Sequence, residues 1–321
     1  AVLILVEHDQ GAAAPAAAEA LTAGRTLAAT LGVEAIAVVP GTDAPEVTSV
    51  AAEHGVARTI AVSMKVADYA PAAWAAALGS AVETTDASVV MTAGTDRGNE
   101  VLAHLGAMTG LAFVANCIEV APGESWTMTR VRWGGSLLEH ASLTAETKLY
   151  STAPHSVEPE AQPVDGVVET MSVELSDAER TVVVKDRIGA AGGVTLATSP
   201  VIVSGGRGVG SPEGFGPLEQ LAELLGGVVG CSRVVTNNGW RPHSDQVGQT
   251  GTVVAPDVYI ACGISGAIQH WVGMMNAKTV IAINTDGQAP MVTKSDYAIV
   301  GDLHEVVPAI VAAVEARQAT S

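Results

Sequence analysis

Aromatic residues are scarce in this 321-residue chain, at 3%. Alanine, valine and glycine must fill the core positions instead. Basic residues are few as well, with 16 lysines and arginines against 34 acidic residues and a formal charge of −18. A field of that sign repels phosphate backbones, and no basic patch offsets it, so no nucleic-acid partner is expected. The acidity serves solubility, or attraction to a basic protein partner. Three cysteines occur, Cys117, Cys231 and Cys262, with no C-x-x-C pair. That pattern excludes a disulfide framework and points to a reducing, cytoplasmic setting. No apolar run reaches the length of a membrane span, and residues 1–7 read as a core strand without a basic leader. A soluble chain with no targeting segment and no stable membrane insertion is expected.

What remains is a folded, core-rich composition, 48% hydrophobic and 16% charged, on a chain long enough for two domains. Buried-strand patterns over residues 2–6, 35–39, 59–62 and 88–92 alternate with helical patterns over 15–31, 46–54, 70–78 and 96–109. Such alternation predicts a parallel sheet with right-handed crossovers. After Gly110 the strand patterns 114–120, 126–133, 145–151 and 167–173 follow without helices, which predicts an added antiparallel or mixed layer. Residues 153–166, rich in Pro, Glu and Ser, read as a loop, and the glycines of 189–193 as a hinge. The second half alternates again, with strands over 201–204, 228–230, 253–254, 258–261, 280–284 and 297–302 and helices over 217–225 and 303–316. Ile264, Ile268, Trp271, Val272 and Met275 recur at spacings of three and four, predicting a helix that opens after Gly263. The expected fold is α/β in two domains, 1–195 and 196–321, each a mostly parallel sheet flanked by helices, the second doubly wound.

In doubly wound sheets ligands bind beyond the carboxyl ends of the strands. In the second domain the glycines and polar residues collect there, at 204–208, 231–233, 263–266, 284–286 and 301–302. A strand, a glycine turn carrying a serine and a helix start leave backbone N–H groups converging on one spot, a geometry that suits a phosphate. The common nucleotide fingerprints are missing. No G-x-G-x-x-G occurs, because Ser211 takes the third glycine position after Gly206 and Gly208, and no Gly-Lys pair forms a P-loop. An ordinary nicotinamide dehydrogenase or NTPase is therefore disfavoured, and a dinucleotide must be held in another way.

Gly206-Arg207-Gly208, Cys231-Ser232-Arg233, Val247-Gly248-Gln249-Thr250-Gly251, Gly263-Ile264-Ser265-Gly266-Ala267-Ile268-Gln269-His270, Ile283-Asn284, Asp296-Tyr297 and Gly301-Asp302-Leu303 appear in that order. Together they resemble the FAD domain of the alpha subunit of electron-transfer flavoproteins, across residues 201–308. Over the first domain the likeness is general, through Val6-Glu7-His8. Asn237 stands where the family usually has an aspartate, and Gly287 where a proline is common. The resemblance implies an FAD-containing electron carrier with no substrate-transforming site of its own. It would be a heterodimer with a beta subunit, which often carries a nucleotide itself. Electrons would come from acyl-CoA dehydrogenases of fatty acid beta-oxidation or other flavin dehydrogenases, and pass to a quinone oxidoreductase or another acceptor.

It also implies roles for particular residues. Ser265, Gly266 and Ala267 would hold the pyrophosphate, with Gln269 on the ribityl side and Ile268 also at the cofactor. Thr250, flanked by Val247, Gly248 and Gln249, would present its hydroxyl to flavin N5. Arg233 would lie close to the isoalloxazine, where a permanent positive charge favours the reduced forms, and His270 would do similar work near the C2 carbonyl. Arg207, Ser232, Asn284 and Asp302 would contact the adenosine half or the ribose, and Leu303 would also lie at the cofactor.

Taken singly, each residue has a duller explanation. Arg233 reads as a surface arginine, His270 as a helix residue bonded to a carbonyl, and Gln249-Thr250 as a turn. Cys231 and Cys262 read as core residues. His8, His54, His104, His140, His155 and His243 show no ligand spacing, so no metal site is expected. Two other functions fit part of the pattern. Gly263-Ile264-Ser265-Gly266-Ala267 nearly forms a nucleophile elbow, and Asp286 or Asp302 followed by His304 gives a triad order for a serine hydrolase. A non-catalytic adenine-nucleotide sensor would use the same cradle.

Overall fold

Val2, Ile4 and Val6 enter one apolar core and Leu3 and Leu5 another, because successive side chains of a strand point to opposite faces. That alternation organises the first unit. In the computed structural model, which describes residues 1–9, 11–66, 69–185 and 194–318, the chain divides into two units. One comprises Ala1–Val131 with Leu138–Ile188, and the other Arg132–Leu137 with Gly189–Ser321. The hinge expected at 189–193 lies outside the described residues.

The first unit contains β1 (Val2–Leu5), β2 (His8–Asp9), β3 (Ala12–Ala13), α1 (Pro15–Leu31), β4 (Ala35–Pro40), α2 (Pro45–Glu53), β5 (Arg58–Ser63), α3 (Pro71–Thr85), β6 (Val89–Ala93) and α4 (Asp96–Thr109). Then follow β7 (Phe113–Ala121), β8 (Trp126–Arg132), β9 (Leu137–Leu143), β10 (Lys148–Thr152) and β11 (Val167–Ser172). Proline opens α1, α2 and α3, where its missing N–H is no loss. Thr95 caps α4 by accepting from the Gly98 N–H at 2.9 Å. Helices α1 and α2 cover the Val2–Ile4–Val6 face, and α3 and α4 the Leu3–Leu5 face, around the fully buried Trp74.

The strand order is β11-β5-β4-β1-β6-β10-β7-β8-β9. The late strands therefore extend one sheet instead of forming a separate layer. Strand β10 enters between β6 and β7, parallel to both, and β11 lies parallel to β5 at the opposite edge. Strand β7 pairs β8 in the antiparallel sense. The pattern expected over 145–151 is β10, whereas β9 was not expected, since Leu137 and Leu138 are exposed and its residues lack a buried alternation.

The second unit contains β12 (Val201–Gly205), α5 (Gly216–Leu224), β13 (Val228–Cys231), α6 (Arg233–Asn237), β14 (Val258–Cys262), α7 (Ile268–Trp271), β15 (Thr279–Asn284), α8 (Pro290–Lys294), β16 (Tyr297–Val300) and α9 (Leu303–Gln318). All neighbouring strands pair in parallel, in the order β13-β12-β14-β15-β16. Helices α5 and α9 pack on one face, while α8 and the segment from Ile264 to Met274 pack on the other. Cys231 and Cys262 are buried, and burial pushes both thiols up to about 12. They are core residues.

Two expectations fail here. Residues 253–254 form no strand, because Val254 is tied by its N–H to the Gly273 carbonyl at 2.8 Å and packs as a loop residue. The helix expected to open after Gly263 opens at Ile268 and lasts four residues. Gly263 and Gly266 adopt φ of 63° and 83°, a left-handed backbone that interrupts any continuous helix. Of the spaced residues only Ile264 is buried; Ile268 and Met275 are exposed, and Met274 packs on the sheet in their place.

Candidate functional site

Numbered by their order in the chain, the strands of the second unit run 2-1-3-4-5, so the order reverses between β12 and β14. That reversal marks the crevice where doubly wound sheets bind ligands. A cavity of about 440 Å³ opens there, lined from the carboxyl ends of all five strands. Arg207 and Gly208 follow β12, Ser232 and Arg233 follow β13, and Gly263, Ile264, Ser265 and Ala267 follow β14. Thr285 and Asp286 follow β15, and Gly301, Asp302 and Leu303 follow β16.

Of the residues singled out from the sequence, Arg207, Ser232, Arg233, Val247, Gln249, Ser265, Ala267, Gln269, His270, Asn284, Asp302 and Leu303 line this cavity. Gly248, Thr250, Gly266 and Ile268 stand beside the lining and shape it. The Thr250 hydroxyl accepts from Gln246 Nε2 at 3.3 Å, and its carbonyl lies 3.1 Å from His243 Nε2. Gly208, Val234, Gly263, Ile264, Thr285, Asp286, Ala289 and Gly301 also line the cavity without having been assigned to a ligand. Except for Ala289, which precedes α8, their common signal was position, within the turn after a strand, rather than residue type.

The walls meet backbone to backbone. A Cβ on Gly206 would lie 2.2 Å from the Gly263 carbonyl oxygen, and one on Gly248 would lie 2.4 Å from that of Gln269. The Gln249 N–H donates to the same Gln269 carbonyl at 3.1 Å, which clamps the 248–251 turn onto α7. Asn284 joins its own loop to the one after β14, donating from Nδ2 to the Ile264 carbonyl at 3.0 Å and accepting from the Asp286 N–H at 3.0 Å. It is therefore a fastener of the cradle, with both ends of its amide engaged.

Charge in the cavity is unevenly matched. Among the described residues neither Arg207 nor Arg233 meets a carboxylate within ion-pair distance. Ser232 Oγ and His270 Nδ1 are buried without a hydrogen-bond partner. Burial lowers the His270 imidazole to about 4, partly offset by the Val247 backbone. The ring is therefore neutral in the ligand-free chain near neutral pH. Stability should follow. Above 6.5, the ordinary imidazole value, both folded and unfolded rings are neutral. Between 6.5 and about 4 the unfolded ring takes its proton first, so stability falls with pH and levels off below. The full loss is about 3 kcal/mol. Urea midpoints measured from pH 7 to pH 4 should fall less steeply in His270→Gln; parallel slopes would contradict the assignment.

The serine hydrolase arrangement is not formed. Ser265, Asp286 and Asp302 line the cavity but His304 does not. The His304 backbone N–H donates to Asp302 Oδ1 at 2.9 Å, which caps α9, and among the described residues no hydrogen bond joins His304 to Ser265. Among the described residues no helix is long and apolar enough to cross a membrane.

Comparison with known proteins places this geometry in a family. Residues 195–275 match the electron transfer flavoprotein FAD-binding domain, and residues 2–202 match the electron transfer flavoprotein domain. The electron transfer flavoprotein subunit alpha of Mycobacterium leprae (strain TN) is 36% identical over 321 residues, covering 98% of each chain. That of Mycobacterium tuberculosis (strain ATCC 25618 / H37Rv) is 37% identical over 320 residues, covering 99% of each. That of Bacillus subtilis (strain 168) is 35% identical over 311 residues, covering 96% of this chain and 95% of its own. With a parallel sheet of order 2-1-3-4-5, a five-sided cavity at its switch point and relatives matched from end to end, this chain belongs to the electron transfer flavoprotein alpha subunits, whose C-terminal domain binds FAD.

Proposed function

We propose that this chain is the FAD-bearing half of a heterodimer with a beta subunit. It takes electrons from flavin dehydrogenases, those of acyl-CoA oxidation among them, and passes them to a quinone oxidoreductase or another acceptor. The observation that carries the assignment of the site is the unspent polar capacity of the cavity. Two buried polar atoms without hydrogen-bond partners, each a net cost as it stands, border one space together with two exposed arginines that have no ion-pair partner. An anionic dinucleotide gives partners to the buried atoms and a counter-charge to the arginines.

When bound, FAD supplies the one-electron redox chemistry, and the chain supplies position and field. Among the described backbone bonds none uses the N–H of Ser265, Gly266 or Ala267, which leaves these donors for a pyrophosphate. Arg207 lends positive charge from the β12 end, and Asp302 offers a carboxylate suited to ribose hydroxyls. Ser232 Oγ supplies a hydroxyl beside Arg207, while Arg233 sets the local potential. Gln246 and Gly248 hold Thr250 and Gln249 in a fixed turn.

The chain co-expressed with its beta subunit should purify yellow and bleach with dithionite, and the chain alone should hold FAD weakly. A preparation that stays colourless after reconstitution of the pair with FAD would overturn this reading.

A further inference from the structure

The face of the second sheet beneath α8 is mostly apolar. In the β12–β14 register Ile202 stands opposite Tyr259 and Ser204 opposite Ala261. Ser204 and Tyr259 are therefore diagonal neighbours on the same face of adjacent strands, within reach of a long side chain. Both are fully buried. A buried phenol ordinarily finds a hydrogen-bond partner, and the Tyr259 hydroxyl lies 2.9 Å from His270 Nε2. The ring centroids stand 6.1 Å apart, tilted at 60°. One ring nitrogen is thereby engaged.

A neutral imidazole carries a single N–H, on Nδ1 or on Nε2. His270 Nδ1 is buried without a hydrogen-bond partner, and Nε2 is the partner of the buried Tyr259 hydroxyl among the described hydrogen bonds. A buried phenol with one such partner directs its proton there. Tyr259 then donates, Nε2 accepts, and the proton of the ring sits on Nδ1. The Ser204 hydroxyl, which has no other partner, faces the phenol and can turn its own proton toward the phenol oxygen. The relay then runs in one direction, from Ser204 through Tyr259 to His270.

We propose that Tyr259 is a positioning residue that holds His270 in the Nδ1–H form, so that this buried ring serves the cavity as a neutral hydrogen-bond donor. Its use toward bound FAD rests on the function proposed above; the tautomer itself does not.

The test is an imidazole 15N spectrum of the full chain paired with its beta subunit and labelled at histidine, recorded before and after addition of FAD. Comparison with His270→Gln picks out the resonances. A pyrrole-like Nδ1 and a pyridine-like Nε2 in the ligand-free pair are expected, and the reverse assignment would overturn the proposal without any variant at Tyr259. In Tyr259→Phe the Nδ1–H form should lose its dominance, and FAD affinity should fall about threefold to tenfold, the worth of one hydrogen bond. An unchanged tautomer in that variant would remove Tyr259 from the role. A pair that shows the Nδ1–H form yet never binds FAD would sink the function proposed above and leave this inference standing.

Discussion

Changing Gly266 to alanine should abolish useful FAD binding and loosen the second unit, because two independent penalties fall on one residue. Its φ of 83° is left-handed, and a Cβ there would lie 2.3 Å from the Met291 backbone nitrogen. That nitrogen is engaged, since its N–H donates to the Ser265 carbonyl at 3.1 Å. A side chain therefore prises the 263–267 turn away from α8 while straining its own backbone. The strain is worth about 1–3 kcal/mol, and the displaced backbone contact brings the loss of stability to about 3–5 kcal/mol. Because the same turn carries the N–H donors reserved for a pyrophosphate, FAD affinity should drop by roughly a hundredfold or more. Urea unfolding and FAD fluorescence titration of the variant pair measure the two effects separately. Near-native values in both would show that the turn has room to relax.

The second large effect is electrical. Replacing Arg233 with alanine should make the bound flavin harder to reduce by roughly 40–90 mV. A unit charge about 4 Å away at an effective dielectric near 20 is worth about 4 kcal/mol. Arg233 is exposed in the chain, so solvent screening cuts that to about 1–2 kcal/mol. Arg233→Lys should retain most of the potential, and the difference between wild type and Arg233→Ala should shrink at high salt. A reductive titration with a reference dye reads all three proteins. Equal potentials in Arg233→Ala and the wild type would assign the control of potential to other groups.

The cavity was legible from the sequence to an unusual extent because its residues sit at strand ends, and strand ends are marked by glycine turns after apolar runs. Gly206, Gly263 and Gly301 locate three walls in this way. What lay inside the elements was harder to see. Tyr259 looks like one more β-forming residue in Val258-Tyr259-Ile260, and Ser204 like the tail of Val201-Ile202-Val203. Their partnership depends on the register between β12 and β14, which no local pattern encodes. The length of α7 was misjudged for a related reason. Ile264 and Trp271 pack on the sheet, but Ile268 and Met275 are exposed, because two left-handed glycines break the helical register that the spacing implied. The protonation of His270 was not legible, because burial is a property of the assembled core.

The position of β10 carries a consequence for how the first unit comes into being. Strand β10 is the only described bridge between β6 and the meander begun by β7, yet it is made after β7, β8 and β9. Those three strands cannot join the sheet edge during synthesis and must wait, open-edged, until residues 148–152 emerge and slot in. Pairing at such sequence separation is slow, and a waiting edge is prone to stray association. A chaperone that shields residues 113–143 during chain elongation would therefore act at the step this topology makes most exposed.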